Sequence, residues 1–265
     1  MNLRKAARTL PATDRAAVIS LGAGVQSTTL ALMAARGELP MPVAGIFADT
    51  GWEPAAVYRH LEWLIGVLPF PVYTVSAGNL RDDAIAKATT GKRFASVPWF
   101  TLQANGQRGM GRRQCTQEYK LRPIQREVRA RFGSCELWIG ISTDEAHRMK
   151  PSRVRYIANR WPLIERRISR SDCLAWMARH GYPTPPKSSC IGCPFHSDHE
   201  WRALTSDEYA QAIEVDEAIR HQPGIRGAQY MHRSCAPLAE VDLSTAEERG
   251  QIGLWGEECE GLCGV

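Results

Sequence analysis

Apolar positions along the chain fall into short unbroken runs that alternate with stretches of helical spacing. Residues 16–20 form an apolar run and predict a buried strand. Residues 28–36 carry a helical pattern that Gly37 ends, a usual helix C-terminal residue. Residues 42–48 are a second apolar run. Residues 53–68 place Val57, Leu61, Leu64, Ile65 and Leu68 on one helical face. Residues 72–75 predict a third strand, and residues 79–90 a helix capped by Asn79. Further on, residues 116–132, 171–180 and 207–222 predict helices, and 136–141 a strand. This alternation predicts an α/β fold, a doubly wound parallel sheet, followed by a cysteine-bearing C-terminal region. The expected division is residues 1–165 and 166–265. Ligands of such sheets bind beyond the carboxyl ends of the strands.

Residues 91–111 break every period. Pro98, Gly106, Gly109 and Gly111 interrupt them, and Trp99 and Phe100 stand near Lys92, Arg93 and Arg108. So long a loop in a compact domain is usually functional or disordered. Aromatic and basic residues together suit a nucleic-acid base or a substrate; a lid with no such role has the same composition. Residues 181–196 hold four prolines and predict an ordered loop.

Chemistry concentrates at the predicted strand ends. The first strand runs into Gly22-Ala23-Gly24-Val25-Gln26-Ser27-Thr28-Thr29. The glycines let a phosphate approach the main chain, and the hydroxyls lie where a new helix exposes unpaired N–H groups. A Walker loop would need Lys where Gln26 stands, and the dinucleotide fingerprint would need Gly where Ser27 stands. The second run ends in Asp49-Thr50-Gly51. That is either a carboxylate for an adenosine hydroxyl or amine, or a turn in which Asp49 bonds its own backbone. Cys115 follows Arg112 and Arg113 and opens a predicted helix, a setting that favours thiolate. The strand at 136–141 leads into Ser142-Thr143-Asp144-Glu145-Ala146-His147-Arg148.

Taken in order, these motifs resemble the phosphoadenylyl-sulfate (PAPS) reductase-like family of the adenine-nucleotide α-hydrolases, whose PP-loop reads Ser-Gly-Gly-x-Asp-Ser. Gly22–Ser27 keeps the second Gly and the last Ser, and departs at Gly22, Ala23 and Gln26. The resemblance spans about 18–195. It implies an adenine nucleotide, ATP with magnesium, contacted by Ser20, Gly22, Gly24, Gln26, Ser27, Thr28, Asp49, Gly140, Asp144 and Arg148. It also implies a catalytic role for Lys120, which follows Cys115 and precedes Pro123. Near the terminus, Glu258-Cys259 is similar to the nucleophile motif of the reductase branch, with Glu260 where that branch has Gly. Cys259 and Cys263 are thus candidate catalytic thiols.

Eight cysteines in a chain with no secretion-type apolar core in residues 1–16 point to metal or redox work rather than disulfides. Cys190-x-x-Cys193 puts two sulfurs within reach of one metal; a redox pair usually opens a helix instead. The thiolation branch of the same family implies a 4Fe–4S cluster on Cys115, Cys190 and Cys193, with zinc as the alternative. Cys235, Cys259, Cys263 and His196 are candidates for a fourth position. Cys135 and Cys173 read as small buried thiols.

The net charge of +5 is unevenly spread. Residues 92–131 hold ten Lys or Arg against two acids, and 148–170 hold eight against one; from 198 onward fourteen acids face five Arg. A basic middle suits a nucleotide or a nucleic acid. No apolar run is long enough to span a bilayer, and a cytoplasmic location is expected. The expected partners are an adenine nucleotide, a nucleic-acid substrate and a sulfur or electron donor, with an oligomer possible. ATP-dependent sulfur transfer is the expectation. PAPS or adenylyl-sulfate reduction through Cys259, or nucleotide binding without catalysis, are the alternatives.

Overall fold

The computed structural model describes residues 15–90, 96–245 and 248. In chain order its main elements are β1 (Ala17–Leu21), α1 (Val25–Ala35), β2 (Ala44–Asp49), α2 (Ala55–Val67), β3 (Val72–Ser76) and α3 (Leu80–Thr90). Then come β4 (Phe100–Leu102), β5 (Arg108–Met110), a π-helical turn at Thr116–Leu121, α4 (Arg122–Phe132), β6 (Cys135–Ile139), a 3₁₀ turn at Thr143–Arg148 and β7 (Ile157–Arg160). The last are α5 (Pro162–Glu165), α6 (Arg170–Arg179), α7 (Asp198–Arg202), α8 (Ser206–Ala218) and β8 (Ala228–Tyr230).

The chain forms two compact units, neither contiguous. One joins Met1–Gly78 to Thr116–Ser188, the other Asn79–Cys115 to Ser189–Val265. A boundary at residue 165 therefore falls inside the first unit. The reason is packing: Cys173, Trp176 and Met177 of α6 share a core with Leu30, Met33 and Ala34 of α1.

In the first unit five parallel strands are ordered β3-β2-β1-β6-β7, the α/β fold the sequence predicts. One face buries Ile19, Leu21, Phe47 and Trp138 beneath α1, α2 and α6. The other buries Val18, Ile46, Ala48 and Leu137 against Ile124 and Val128 of α4. Strands covered on both faces read as continuous apolar runs, which is why β1 and β2 were legible. β7 was not expected. It follows Tyr156 and holds Asn159 and Arg160; Arg160 pairs with buried Glu136 at 3.0 Å and with Glu165 at 2.9 Å.

In the second unit a small antiparallel sheet is ordered β5-β4-β8. Its strands β4 and β5 occupy residues 100–110, where the sequence predicts a loop. Ser197 with Glu200 and Thr205 with Glu208 form reciprocal capping boxes at α7 and α8. Buried Asp216 of α8 accepts from the Met231 and Leu238 amides at 2.7 and 3.0 Å and pairs with Arg220, which ties the chain after β8 to α8. Among the described residues no helix is long and apolar enough to cross a membrane.

Candidate nucleotide site

The order β3-β2-β1-β6-β7 reverses direction at one place. From β1 the chain builds outward through β2 and β3; from β6 it builds the other way through β7. The loops after β1 and β6 thus part at the switch point, where ligands of open parallel sheets bind.

The loop after β1 is short. Ala23 takes a left-handed φ of 54°, an uncommon choice for a residue with a Cβ. Gly24 is the N-cap of α1, extended at φ −101° and ψ 178°, and no side chain caps the helix. No acid occupies the first turn. The Thr28 amide already reaches the Gly24 carbonyl at 2.9 Å, while the amides of Val25, Gln26 and Ser27 precede the first intrahelical acceptor. Such uncapped amides at the positive end of a helix dipole attract an anion. Ser27 Oγ accepts from the Gly22 amide at 3.1 Å and donates to the Gly24 carbonyl at 3.3 Å, so the loop is closed upon itself.

Two neighbours fix the loop from outside. A Cβ on Gly140, just past β6, would lie 2.7 Å from Ser27 N, 2.8 Å from Ser27 Cα and 2.9 Å from the Gln26 carbonyl carbon. Only glycine lets the end of β6 approach the start of α1 so closely. A Cβ on Gly24 would meet Ser188 Oγ at 2.5 Å, which brings the Ser188 hydroxyl to the loop. The Gln26 carboxamide joins the two loops: it donates to Ser142 Oγ and Glu145 Oε2, both at 3.4 Å, and accepts from Arg170 Nη1 at 3.4 Å. Asp144 accepts from Ser142 Oγ at 3.2 Å and from the Arg170 amide. Arg148 pairs with Glu145.

The other expected nucleotide contacts divide. Ser20 is half-buried in β1. Thr28 is fully buried and its hydroxyl lies 3.1 Å from His60 Nε2, turned into the core rather than toward the loop. Thr29 donates to the Val25 carbonyl at 2.9 Å. Burial holds the His60 imidazole below its ordinary value of 6.5. Asp49 accepts from the Gly51 amide at 2.8 Å and from the Tyr58 hydroxyl at 2.7 Å, so its own turn already engages it. Burial first, then Asp49, raises the Tyr58 phenol. Lys120 donates to Glu53 Oε1 at 3.1 Å, and Thr50 donates to the same oxygen at 3.0 Å; the Glu53 side chain is only 2% exposed. Lys120 thus neutralises a buried carboxylate. The sequence reading missed Arg170, Ser188 and Ser142.

Of the cysteines, Cys115, Cys190 and Cys193 belong to the second unit and are half-buried. The Cys193 amide donates to the Cys190 carbonyl at 3.0 Å, closing a tight turn. Among the described residues no three His, Cys, Asp or Glu side chains form a group able to hold a metal ion. Burial pushes the Cys135 thiol up to about 12 and that of Cys173 up to about 11, and raises Cys235. Cys135 and Cys173 are fully buried thiols, as expected. Cys259 and Cys263 lie outside the described residues.

No protein-family profile and no curated protein matches the chain. Among solved structures it is similar to phosphoadenylyl-sulfate (PAPS) reductase from Candida auris in its phosphate complex, with a TM-score of 0.45 and 14% identity over 69% of this chain and 79% of that one. The likeness is one of fold.

Proposed function

We propose that the chain is an ATP-dependent sulfur transferase acting on a nucleic-acid or nucleotide-type acceptor. The observation that carries this is the uncapped start of α1 at the switch point, closed upon by Gly140. Triphosphate oxygens accept from the first-turn amides, and Arg170 and the Ser188 hydroxyl lie beside that loop to receive further oxygens. Gln26 carries no charge to repel them. Magnesium, when bound, neutralises phosphate charge.

The acceptor's carbonyl oxygen attacks the α-phosphorus. The new O–P bond forms as the bond to the β-phosphate oxygen breaks and pyrophosphate leaves. A sulfur nucleophile then adds to the activated carbon, and the C–O bond breaks with AMP as leaving group. Cys259 and Cys263 are proposed as sulfur carriers. Cys115, Cys190 and Cys193 remain proposed ligands of a 4Fe–4S cluster or zinc. Since the described side chains form no such group, neither step is routed through one.

The test is anaerobic incubation with ATP, magnesium, sulfide and bulk RNA or DNA. AMP and pyrophosphate should appear together with an oxygen-to-sulfur mass change in the acceptor. Reduction of PAPS to sulfite without pyrophosphate release would overturn this reading. Iron, sulfide and zinc analysis of the same preparation decides the cysteine ligands, with metal lost in Cys190→Ala and retained in Cys173→Ala.

A further inference from the structure

The second unit contains a cavity of about 400 Å³ that the proposed reaction does not explain. Its volume lies within the range of small-molecule sites. One wall is a strand face. Trp99, Thr101 and Gln103 line it, and alternate residues of an extended chain share a face; Val97, one tight turn before Trp99, lines it too. On β8, Gln229 stands opposite Thr101 and so shares that face. On the other side of Thr101 stands Gly109, and a Cβ there would lie 2.9 Å from Thr101 Oγ1. The row Gly109–Thr101–Gln229 is therefore bare at one end and amide-bearing at the other.

Around this floor the charge is of one sign. Lys87, Arg112 and Arg226 line the cavity, and among the described residues no carboxylate does. Two glutamines that line it are buried, Gln222 at 5% and Gln229 at 3% exposure. Gln222 donates to the Ala84 carbonyl at 3.4 Å. Among the described residues the buried Gln229 side-chain oxygen has no hydrogen-bond donor. Buried polar atoms are nearly always paired, and an orphan calls for an explanation. A ligand N–H, met once the Gln229 carboxamide turns into the cavity, is one.

We infer that this cavity binds one phosphorylated nucleoside unit, its phosphate among Lys87, Arg112 and Arg226 and a base N–H donated to Gln229. The same chemistry comes from a free mononucleotide or from one residue of a single-stranded nucleic acid. The inference rests on the proposed function only in taking this unit to be the acceptor.

The test uses the full chain, saturated with a non-hydrolysable ATP analogue to fill the α1 loop. The probes are the four ribonucleoside monophosphates, inorganic phosphate, and fluorescein-labelled single-stranded RNA and DNA. A monophosphate or an oligonucleotide should bind, at least tenfold tighter than inorganic phosphate. The double variant Arg112→Ala, Arg226→Ala changes two exposed side chains and should weaken that binding at least tenfold while the analogue's affinity stays constant. Gln229→Leu should erase base preference with a smaller loss. Binding of the monophosphates identifies a free nucleotide as ligand, and binding of the oligonucleotides alone identifies a nucleic acid; either upholds the inference. Unchanged affinity in the double arginine variant would overturn it, as would equal affinity for inorganic phosphate. Failure of the analogue to bind, with monophosphate binding intact, would sink the proposed function and leave this site standing.

Discussion

A methyl group at Gly140 meets backbone, and one at Gly24 meets the rotatable hydroxyl of Ser188. That difference decides how the two positions respond. Gly24→Ala should fold, since φ at −101° suits any residue, but should weaken nucleotide several-fold, because the new Cβ would lie 2.5 Å from Ser188 Oγ and 3.2 Å from Ser188 Cβ and so displaces a hydroxyl proposed to meet phosphate. Gly140→Ala should lose about 1–3 kcal/mol of stability, the range for overpacking, and should weaken ATP more than tenfold by displacing Ser27. Thermal melts and calorimetry of both variants check this. Equal behaviour would mean that the contact of β6 with α1 does not shape the loop. Burial of His60 gives a second expectation. Its folded value lies below 6.5, so the unfolded chain takes up the proton first. Stability should be flat above about pH 6.5 and fall as pH drops below it. His60→Gln should remove that slope in melts between pH 7 and 5. At this scale the sequence showed the loop glycines, because a strand-turn-helix needs them. It did not single out Arg170, one of eight basic residues between 148 and 170, which meets Gln26 from 144 positions away.

Among the elements, the π-helical turn before α4 carries Lys120 to Glu53, which follows β2. Lys120→Met would remove the cation from a buried carboxylate that the Thr50 hydroxyl also donates to. The expected loss is about 1–3 kcal/mol, at the lower end because the Lys120 side chain is 36% exposed. Glu53→Gln in the same chain should restore most of it. A double-variant melt no better than the single one would remove the ion pair from the account. The long parallel strands and their helices were legible because burial on both faces writes itself as apolar runs. The sheet of β4, β5 and β8 was not. Its strands are three residues each, too short for a period to register, and Gly109 sits where a strand usually carries a side chain. β4 and β5 pair as a local hairpin, but β4 and β8 lie more than one hundred residues apart, and no local pattern records that second pairing.

The whole molecule carries +5, with its basic residues in the middle of the sequence and its acids late. If that middle meets a nucleic acid, affinity for mixed-sequence RNA or DNA should fall steeply with salt as counterions are released. A binding constant indifferent to salt would confine the acceptor to small molecules. The cysteine assignments stand apart from the fold, because spacing in sequence names possible ligands without bringing them together. The chain's crossing between units has a further consequence during synthesis. β1 is the central strand of its sheet, yet its second neighbour, β6, begins at Cys135. At about 5–20 residues per second the ribosome needs roughly 6–20 s to deliver it. For that interval one edge of β1 has no partner and remains a template for mispairing. Nascent chains halted before residue 135 should therefore bind chaperones or aggregate, and chains released after residue 188 should resist protease over the first unit.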